Sequence, residues 1–177
     1  MSDSFPDIKS VVVRVITNKP VRKTPYQVKG VIMRQHPNED IIPMLNGFYR
    51  DRYLYPRVQV KILNEQIHLI GVNEGVDPVI NLTKRLKSLD FGNINFDVEH
   101  TDLDSASNQF KLSENLVHYK FITPWVALNH MTGGKYKLLT NQEKPSYLNK
   151  LLGHNIIFLA KEAVSYTHLT LPTNPEV

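Results

Sequence analysis

The sequence contains no cysteine, no apolar run long enough to cross a membrane, and no charged start followed by an apolar stretch. The missing thiols exclude disulfides and thiolate metal sites and are typical of a reducing compartment. A membrane span needs about 18 to 20 consecutive apolar residues, and a secretory leader has its own pattern of charge and hydropathy. We therefore expect a soluble, cytoplasmic protein.

The signature motifs of the common enzyme classes are also absent. There is no P-loop, no dinucleotide-binding GxGxxG, no HExxH and no GxSxG. The glycine pair in Gly133-Gly134-Lys135 stands beside a basic residue and favours a turn. None of the seven histidines has the four-residue spacing, with a carboxylate, of a helical metal site. We expect no metal and no cofactor.

Positive charge is concentrated in the first third of the chain. Residues 1–61 hold eleven of the 21 Lys and Arg but only five of the 17 Asp and Glu, which gives this part a charge of +6. The remaining residues have a charge of −2, so the net charge of the chain is +4. Such asymmetry is the electrostatic pattern of a polyanion binder. A solvated, lysine-rich face is the alternative interpretation.

Hydrophobic periodicity predicts an α+β protein. Alternating or β-branched runs indicate strands, and apolar residues three and four apart indicate helices. The predicted strands are Ile8–Ile16, Arg57–Leu63, Gln66–Val72, Ile94–Val98 and Leu116–Ile122, and the predicted helices are Asp77–Leu89 and Ser146–Lys161. Asp77-Pro78 is a helix-start signal, and Gly92 is expected to end the first helix. This order favours a ferredoxin-like sandwich, an antiparallel sheet with helices packed on one face.

One loop carries the residue types for cutting RNA without a metal. His36 follows Arg34 in a proline-rich stretch, with Lys29 before it and Tyr49 after it. The RNA 2′-OH can attack the adjacent phosphorus if a base takes its proton, an acid protonates the leaving oxygen, and a cation stabilises the charged phosphate. Histidine and tyrosine suit the first two roles, and lysine or arginine suits the third. Basic loops with one histidine are common, so the pattern alone leaves a simple surface loop open.

Aromatic and basic residues interleave just downstream, in the segment YRDRYLYPR at 49–57. Aromatic rings can stack on unpaired bases while guanidinium groups pair with phosphates. A strand edge that packs its tyrosines is the alternative. The basic residues from which we expect RNA contacts are Arg22, Lys23, Arg34, Arg50, Arg52 and Arg57.

Six segments carry a resemblance to a known family: IKSVVVRV, PVRKTPYQVKGVIM, YLYPRVQVKILN, GVNEGVD, FITPWVALNH and LLGHNIIFLAKE. In this order, over about residues 8–162, they resemble the N-terminal domain of CRISPR-associated repeat-RNA endonucleases of the RAMP superfamily. The resemblance implies a ferredoxin-like fold, repeated in the full-length protein. It also implies metal-independent cleavage of CRISPR precursor RNA within each repeat, with cyclic phosphate and 5′-hydroxyl products.

The resemblance assigns roles residue by residue. His36 is expected to act as general acid or base, and Lys29 and Tyr49 fall near positions where the family has an assisting lysine and tyrosine. Relatives carry one or two histidines roughly where this chain reads Ile42-Pro43-Met44-Leu45. The implied partners are CRISPR repeat RNA, a CRISPR effector complex and a second copy in a homodimer. A non-catalytic RNA-binding subunit, or an unrelated α+β protein that binds phosphate ligands, remains an alternative.

The end of the chain differs in character. Residues 164–177 break the helical periodicity, contain no Lys or Arg, and resemble an adapter-derived string rather than native sequence. We expect an N-terminal ferredoxin-like domain over residues 1–140. A helix over 141–163 would lead into a second domain that is mostly missing, followed by a non-native tail over 164–177. The family's C-terminal glycine-rich loop has no counterpart here.

Overall fold

The computed structural model describes residues 7–46, 56–109, 118 and 128–164. The chain divides into two compact units, residues 1–109 and residues 110–177. The predicted first domain, residues 1–140, extends past the end of the first unit, and the domain division stays a prediction. Within the described residues, no helix combines the length and the apolar character that a membrane crossing requires.

The first unit is a βαββαβ fold with one added edge strand. Its sheet has the strand order β2-β3-β1-β5-β4, and every neighbouring pair is antiparallel. The fold-class prediction is thus confirmed. Its elements are β1 (Asp7–Thr17), α1 (Pro25–Gln35), α2 (Ile42–Asn46), β2 (Val58–Leu63), β3 (Gln66–Val72), a 3-10 turn (Asn73–Gly75), α3 (Val76–Arg85), β4 (Ser88–Asp90) and β5 (Asn95–Gln109).

The strand predicted at Ile8–Ile16 is confirmed as β1, which lies at the centre of the sheet. Val11, Val13 and Val15 are fully buried because alternate residues of a strand face the same side. β1 pairs with β3 on one side and with β5 on the other. α3 covers β1 and β3, while α1 contacts both edge strands, β2 and β4. The core therefore lies between the two longer helices and one face of the sheet.

β2 and β3 confirm the strands predicted at Arg57–Leu63 and Gln66–Val72, and they pair as a hairpin. Val58 pairs with Gly71 and Leu63 with Gln66, and Ile67 and Leu69 are buried while His68 faces the other way. The two turn residues, Asn64 and Glu65, have φ of 50° and 59°. Two successive left-handed residues make the tight turn that suits the twist of a hairpin.

Pro20 and Pro25 bracket a basic segment, residues 18–27, and favour a loop there, but the first helix begins inside this segment. Thr24 caps α1: its hydroxyl accepts from the backbone N–H of Gln27, and the Gln27 side chain accepts from the backbone N–H of Thr24. Pro25 occupies the first helical position, where its missing N–H costs nothing. The loop interpretation of residues 18–27 is therefore wrong after Thr24, because a capping box and an N-terminal proline start the helix there.

The helix predicted at Asp77–Leu89 is shorter and begins earlier than expected. α3 starts at Val76, with Gly75 as its N-cap and no side-chain capping bond, and it ends at Arg85. Leu89 continues the helical spacing but lies in β4, buried against the core. Gly92 does not end the helix. It has a φ of 85° in the turn between β4 and β5.

The segment GVNEGVD owes its two glycines to close backbone packing. A Cβ on Gly71 would lie 2.4 Å from the carbonyl oxygen of Gly75, and a Cβ on Gly75 would lie 2.2 Å from the carbonyl oxygen of Arg57. Real Cβ atoms do not approach this closely. Only glycine therefore fits at positions 71 and 75 of the segment that connects β3 to α3.

The second unit contains two described helices, α4 (His130–Leu138) and α5 (Glu143–Val164). α4 begins with a capping box between Asn129 and Thr132 and contains Gly133 and Gly134, so the turn predicted at this glycine pair is wrong. α5 confirms the predicted helix at 146–161 and is longer at both ends. The strand predicted at Leu116–Ile122 and the tail after residue 164 lie outside the described residues.

Candidate nucleic-acid interface

Helix α1 carries two of the predicted catalytic residues. Lys29 lies in its middle, and His36 is its C-cap, with the backbone N–H of His36 donating to the carbonyl oxygen of Ile32 at 2.9 Å. The two are seven residues apart, which is about two helical turns and about 10 Å along the axis. They therefore share one face of α1, and both are partly exposed.

The last turn of α1 is tied to β4 by two hydrogen bonds to the backbone of one residue, Asp90. The Arg34 guanidinium donates to the carbonyl oxygen of Asp90, and the Gln35 side chain accepts from the backbone N–H of Asp90 at 3.1 Å. Arg34, predicted to bind RNA, thus has a backbone partner in this structure. The pair of bonds fixes the end of the helix where His36 lies.

The segment after His36 is attached to α3. The backbone N–H of Glu39 donates to the carbonyl oxygen of His36 at 3.2 Å, and the Glu39 carboxylate accepts from Arg85 at 2.8 Å. The Glu39 side chain is 15% exposed, so this ion pair is less screened by water than an ordinary surface pair. His36 is therefore held from both sides, by β4 and by α3.

The basic residues before α1 also have partners. Arg22 pairs with Glu65 of the β2–β3 turn at 2.8 Å while its side chain stays 80% exposed. The Lys23 ammonium lies 5.3 Å from the centre of the Phe91 ring, which is within the range of a cation–π contact. Between the helix and β1, Val21 is fully buried and anchors the loop. The two cations remain at the surface beside α1.

Arg57 is in a different situation from the other predicted RNA contacts. Its side chain is 11% exposed, and its Nε donates to Glu74 at 3.0 Å. Its carbonyl oxygen accepts from the backbone N–H of Val72 at 2.8 Å, next to the close approach of Gly75. The geometry gives Arg57 a structural contact with the segment before α3, and RNA binding by this residue stays a prediction.

Three predicted residues, Tyr49, Arg50 and Arg52, lie outside the described residues. The structure places Lys29 and Arg34 in α1 and His36 at its C-cap, and Arg22 and Lys23 precede the same helix. In the described ranges, no three His, Asp or Glu side chains are grouped so as to hold a metal ion. The prediction that no metal takes part stays a prediction.

The strand register reveals a polar row that sequence reasoning did not assemble. Lys61 of β2 stands opposite His68 of β3, His68 opposite Arg14 of β1, and Arg14 opposite Asp102 of β5. Arg14 donates to the Asp102 carboxylate, and this bond, with the charges of Arg14 and His100, holds the pKa of Asp102 below its usual value. The alternation along each strand indicated which residues faced away from the core, but it carried no information on the pairing between strands.

The fold of the first unit defines its class: a ferredoxin-like α+β domain. A sequence model of the Cas6b N-terminal domain matches residues 6–109, more than half of the chain. The chain therefore belongs to the Cas6b family.

Solved structures agree with this fold. A crystal structure of Cas6b matches with a TM-score of 0.75 and 22% identity over 93% of this chain and 76% of that one. A crystal structure of the CRISPR RNA processing endoribonuclease Cas6b matches with a TM-score of 0.61 and 20% identity, over 93% and 73%. An uncharacterised protein of Methanocaldococcus jannaschii is 42% identical over 53 residues, and the match spans 30% of this chain and 36% of that protein's length.

Proposed function

We propose that this chain supplies the N-terminal domain of an endoribonuclease that binds CRISPR precursor RNA and cuts it within the repeats to yield guide RNAs. The observation that carries the proposal is the match of the whole first unit to the Cas6b N-terminal domain. The basic charge of residues 1–61 supports a polyanionic substrate. A homodimer and a CRISPR effector complex are further proposals for the protein that carries this domain.

The proposed reaction is attack by the RNA's own 2′-OH on the neighbouring phosphorus. His36 takes the 2′ proton or protonates the leaving 5′ oxygen, and Tyr49 assists as the partner acid or base. The phosphorus–O5′ bond breaks, leaving a 2′,3′-cyclic phosphate and a 5′-hydroxyl. Lys29 stabilises the charge on the pentavalent phosphate, since Arg34 is engaged by the Asp90 carbonyl. Each group thus acts on a reacting atom without a metal.

The decisive experiment is cleavage of the CRISPR repeat transcript that neighbours the gene, in EDTA, by the protein and its His36→Ala variant. General acid–base catalysis is worth about 10²- to 10⁴-fold, so His36→Ala should lose at least that much rate while binding the RNA with unchanged affinity. A transcript with a single 2′-deoxy nucleotide before the cut should resist cleavage because it lacks the nucleophile. Undiminished cutting by His36→Ala would remove His36 from the mechanism.

A non-catalytic RNA-binding subunit is the second candidate, and one observation favours it. Where relatives carry histidine, this chain has Ile42-Pro43-Met44-Leu45, which forms the short helix α2 with Leu45 buried. No imidazole can act from those positions. Salt-dependent binding of the repeat RNA, with no cleavage by the full-length protein, would support this candidate over the nuclease.

A further inference from the structure

A polar cleft opens beside the basic loop, at the end of β1. It has a volume of about 230 Å³ and is lined by residues 17–20 and by residues 64–66 of the β2–β3 turn. Pockets for drug-sized ligands begin at about 300 Å³, so this cleft is sized for a smaller group. It lies at the start of the chain segment that enters α1 and is separate from His36, which follows the other end of that helix.

The walls of the cleft are fixed by hydrogen bonds between elements. The backbone N–H of Val21 donates to the carbonyl oxygen of Glu65 at 2.8 Å, joining the basic loop to the hairpin turn. Asn18 bonds to Asp97 of β5 through its backbone N–H, at 3.0 Å, and through both ends of its side-chain amide. A cleft held in this way loses little conformational entropy when it binds a ligand.

The hairpin turn holds a residue in a conformation that its side chain disfavours. Glu65 has a φ of 59°, in the left-handed region that Gly and Asn adopt most readily. The tight turn between β2 and β3 requires this conformation. Here the conformation sets the carboxylate at the wall of the cleft, where Arg22 pairs with one of its oxygens. A carboxylate has acceptor capacity beyond that single bond.

The chemical groups of the cleft fit one nucleotide of single-stranded RNA. Lys19 lines it and Arg22 stands at its rim, so a phosphate has cations on one side. Asn64 and Gln66 supply amides that can donate to and accept from a base, and Glu65 is an acceptor only. An acidic side chain accepts from the exocyclic amine of cytosine, whereas uracil presents a carbonyl at that position.

We propose that this cleft binds one unpaired cytidine of an RNA strand, with its base amine on Glu65 and its phosphate on Lys19. This inference rests on the proposed function, because it takes RNA as the physiological ligand. It adds a second contact point, at the opposite end of α1 from His36, and gives the domain a base preference that phosphate contacts alone cannot supply.

The base preference is tested with two fluorescein-labelled probes, a 12-nucleotide oligocytidine and a 12-nucleotide oligouridine, titrated with the 177-residue chain. The expected result is about three- to tenfold tighter binding of oligocytidine, the ratio for one hydrogen bond in a site open to water. Glu65→Gln should bring the two affinities together. The matched control is Glu99→Gln, which alters an exposed glutamate of β5 and should keep the ratio.

The phosphate contact has a different signature. Lys19→Ala should weaken both probes equally and lower the slope of log K against log salt by about 0.7, the value for one contact on a single strand. Lys84→Ala, at an exposed position of α3, is the control and should leave the slope unchanged. Gln66→Ala is a second variant that should abolish the preference for oligocytidine, and it serves as the test if Glu65→Gln disturbs the turn.

The outcomes separate this inference from the proposed function. Equal affinity for the two probes, or a ratio that survives both Glu65→Gln and Gln66→Ala, would overturn the cytidine site and leave repeat cleavage untouched. A cytidine preference that depends on Glu65, in a protein that cuts no repeat RNA, would support the site and contradict the nuclease. Backbone amide shifts of residues 17–19 and 64–66 on titration with cytidine 5′-monophosphate, compared with uridine 5′-monophosphate, should report the same preference in the absence of any cleavage.

Discussion

At the scale of single residues, Arg57 shows that a residue of a basic motif can also make contacts within the fold. The alternation of tyrosine and arginine through 49–57 predicted that Arg57 contacts RNA. In the structure its guanidinium pairs with Glu74 and its carbonyl group packs against Gly75. The sequence pattern identifies a basic residue, but only the fold reveals whether its charge already has a partner.

The close approach at Gly75 makes a stability prediction. In Gly75→Ala, the added Cβ would lie 2.2 Å from the carbonyl oxygen of Arg57, so the backbone must shift. We expect a loss of about 1 to 3 kcal/mol in the free energy of unfolding, as for other overpacked sites. Urea denaturation followed by circular dichroism measures it.

Gly30→Ala is the matched control because Gly30 lies within α1 and its added Cβ meets no atom within 4 Å. Alanine is the better helix former by about 0.5 to 1 kcal/mol, so this variant should be stabilised. If both glycine variants had the same midpoint, close packing would not be the reason for glycine at position 75.

At the scale of elements, the start of α1 decides where the proposed catalytic residues lie. Thr24→Ala removes the hydroxyl that accepts from the backbone N–H of Gln27 and should cost about 1 kcal/mol, the usual value for an N-cap threonine. Thr24→Ser keeps the hydroxyl and should restore most of that loss. Chemical denaturation of the three proteins provides the comparison, and equal stability of Thr24→Ala and wild type would mean that α1 does not depend on its cap.

The elements also differ in how far the sequence determined them. The β2–β3 hairpin was predictable because Val58, Val60 and Ile62 alternate with polar residues. α3 was predicted too long because Leu89 keeps a helical spacing although it belongs to β4. α4 was missed because a glycine pair outweighed the capping signal of Asn129 and Thr132. Local periodicity cannot register tertiary packing, which decides between helix and strand for a short apolar run.

The candidate site was also predictable only as far as local sequence patterns reach. The sequence was enough to identify His36 and Lys29 as candidate catalytic residues in a basic stretch. Their position on one face of a helix could not be predicted, because the prolines at 20 and 25 indicated a loop. The row from Lys61 to Asp102 and the cleft at residues 17–20 and 64–66 depend on contacts between distant parts of the chain. No local pattern carries that information.

At the scale of the whole molecule, the hydrophobic core belongs to the first unit. Every buried hydrophobic residue of the described chain lies between Val11 and Phe96. Along residues 128–158 no side chain is fully buried, and Met131, Leu138 and Ile156 are largely exposed. The first unit therefore has what independent folding requires, whereas the described part of the second has helices without a core of its own.

A chain cut after Gln109 should thus fold by itself. We expect its thermal midpoint to lie within about 5 °C of the longer chain's, because 1 kcal/mol corresponds to about 4 to 8 °C in a domain of this size. Residues 110–177 alone should show little helix by circular dichroism, since isolated helices are marginal in water and α5 would have no surface on which to bury its apolar side chains. The shortened chain keeps all the basic residues of 1–61, so it should also keep salt-dependent affinity for RNA. A shortened chain that is unfolded, beside a longer one that melts cooperatively, would mean that the second unit supplies part of the core and that the basic domain cannot act without it.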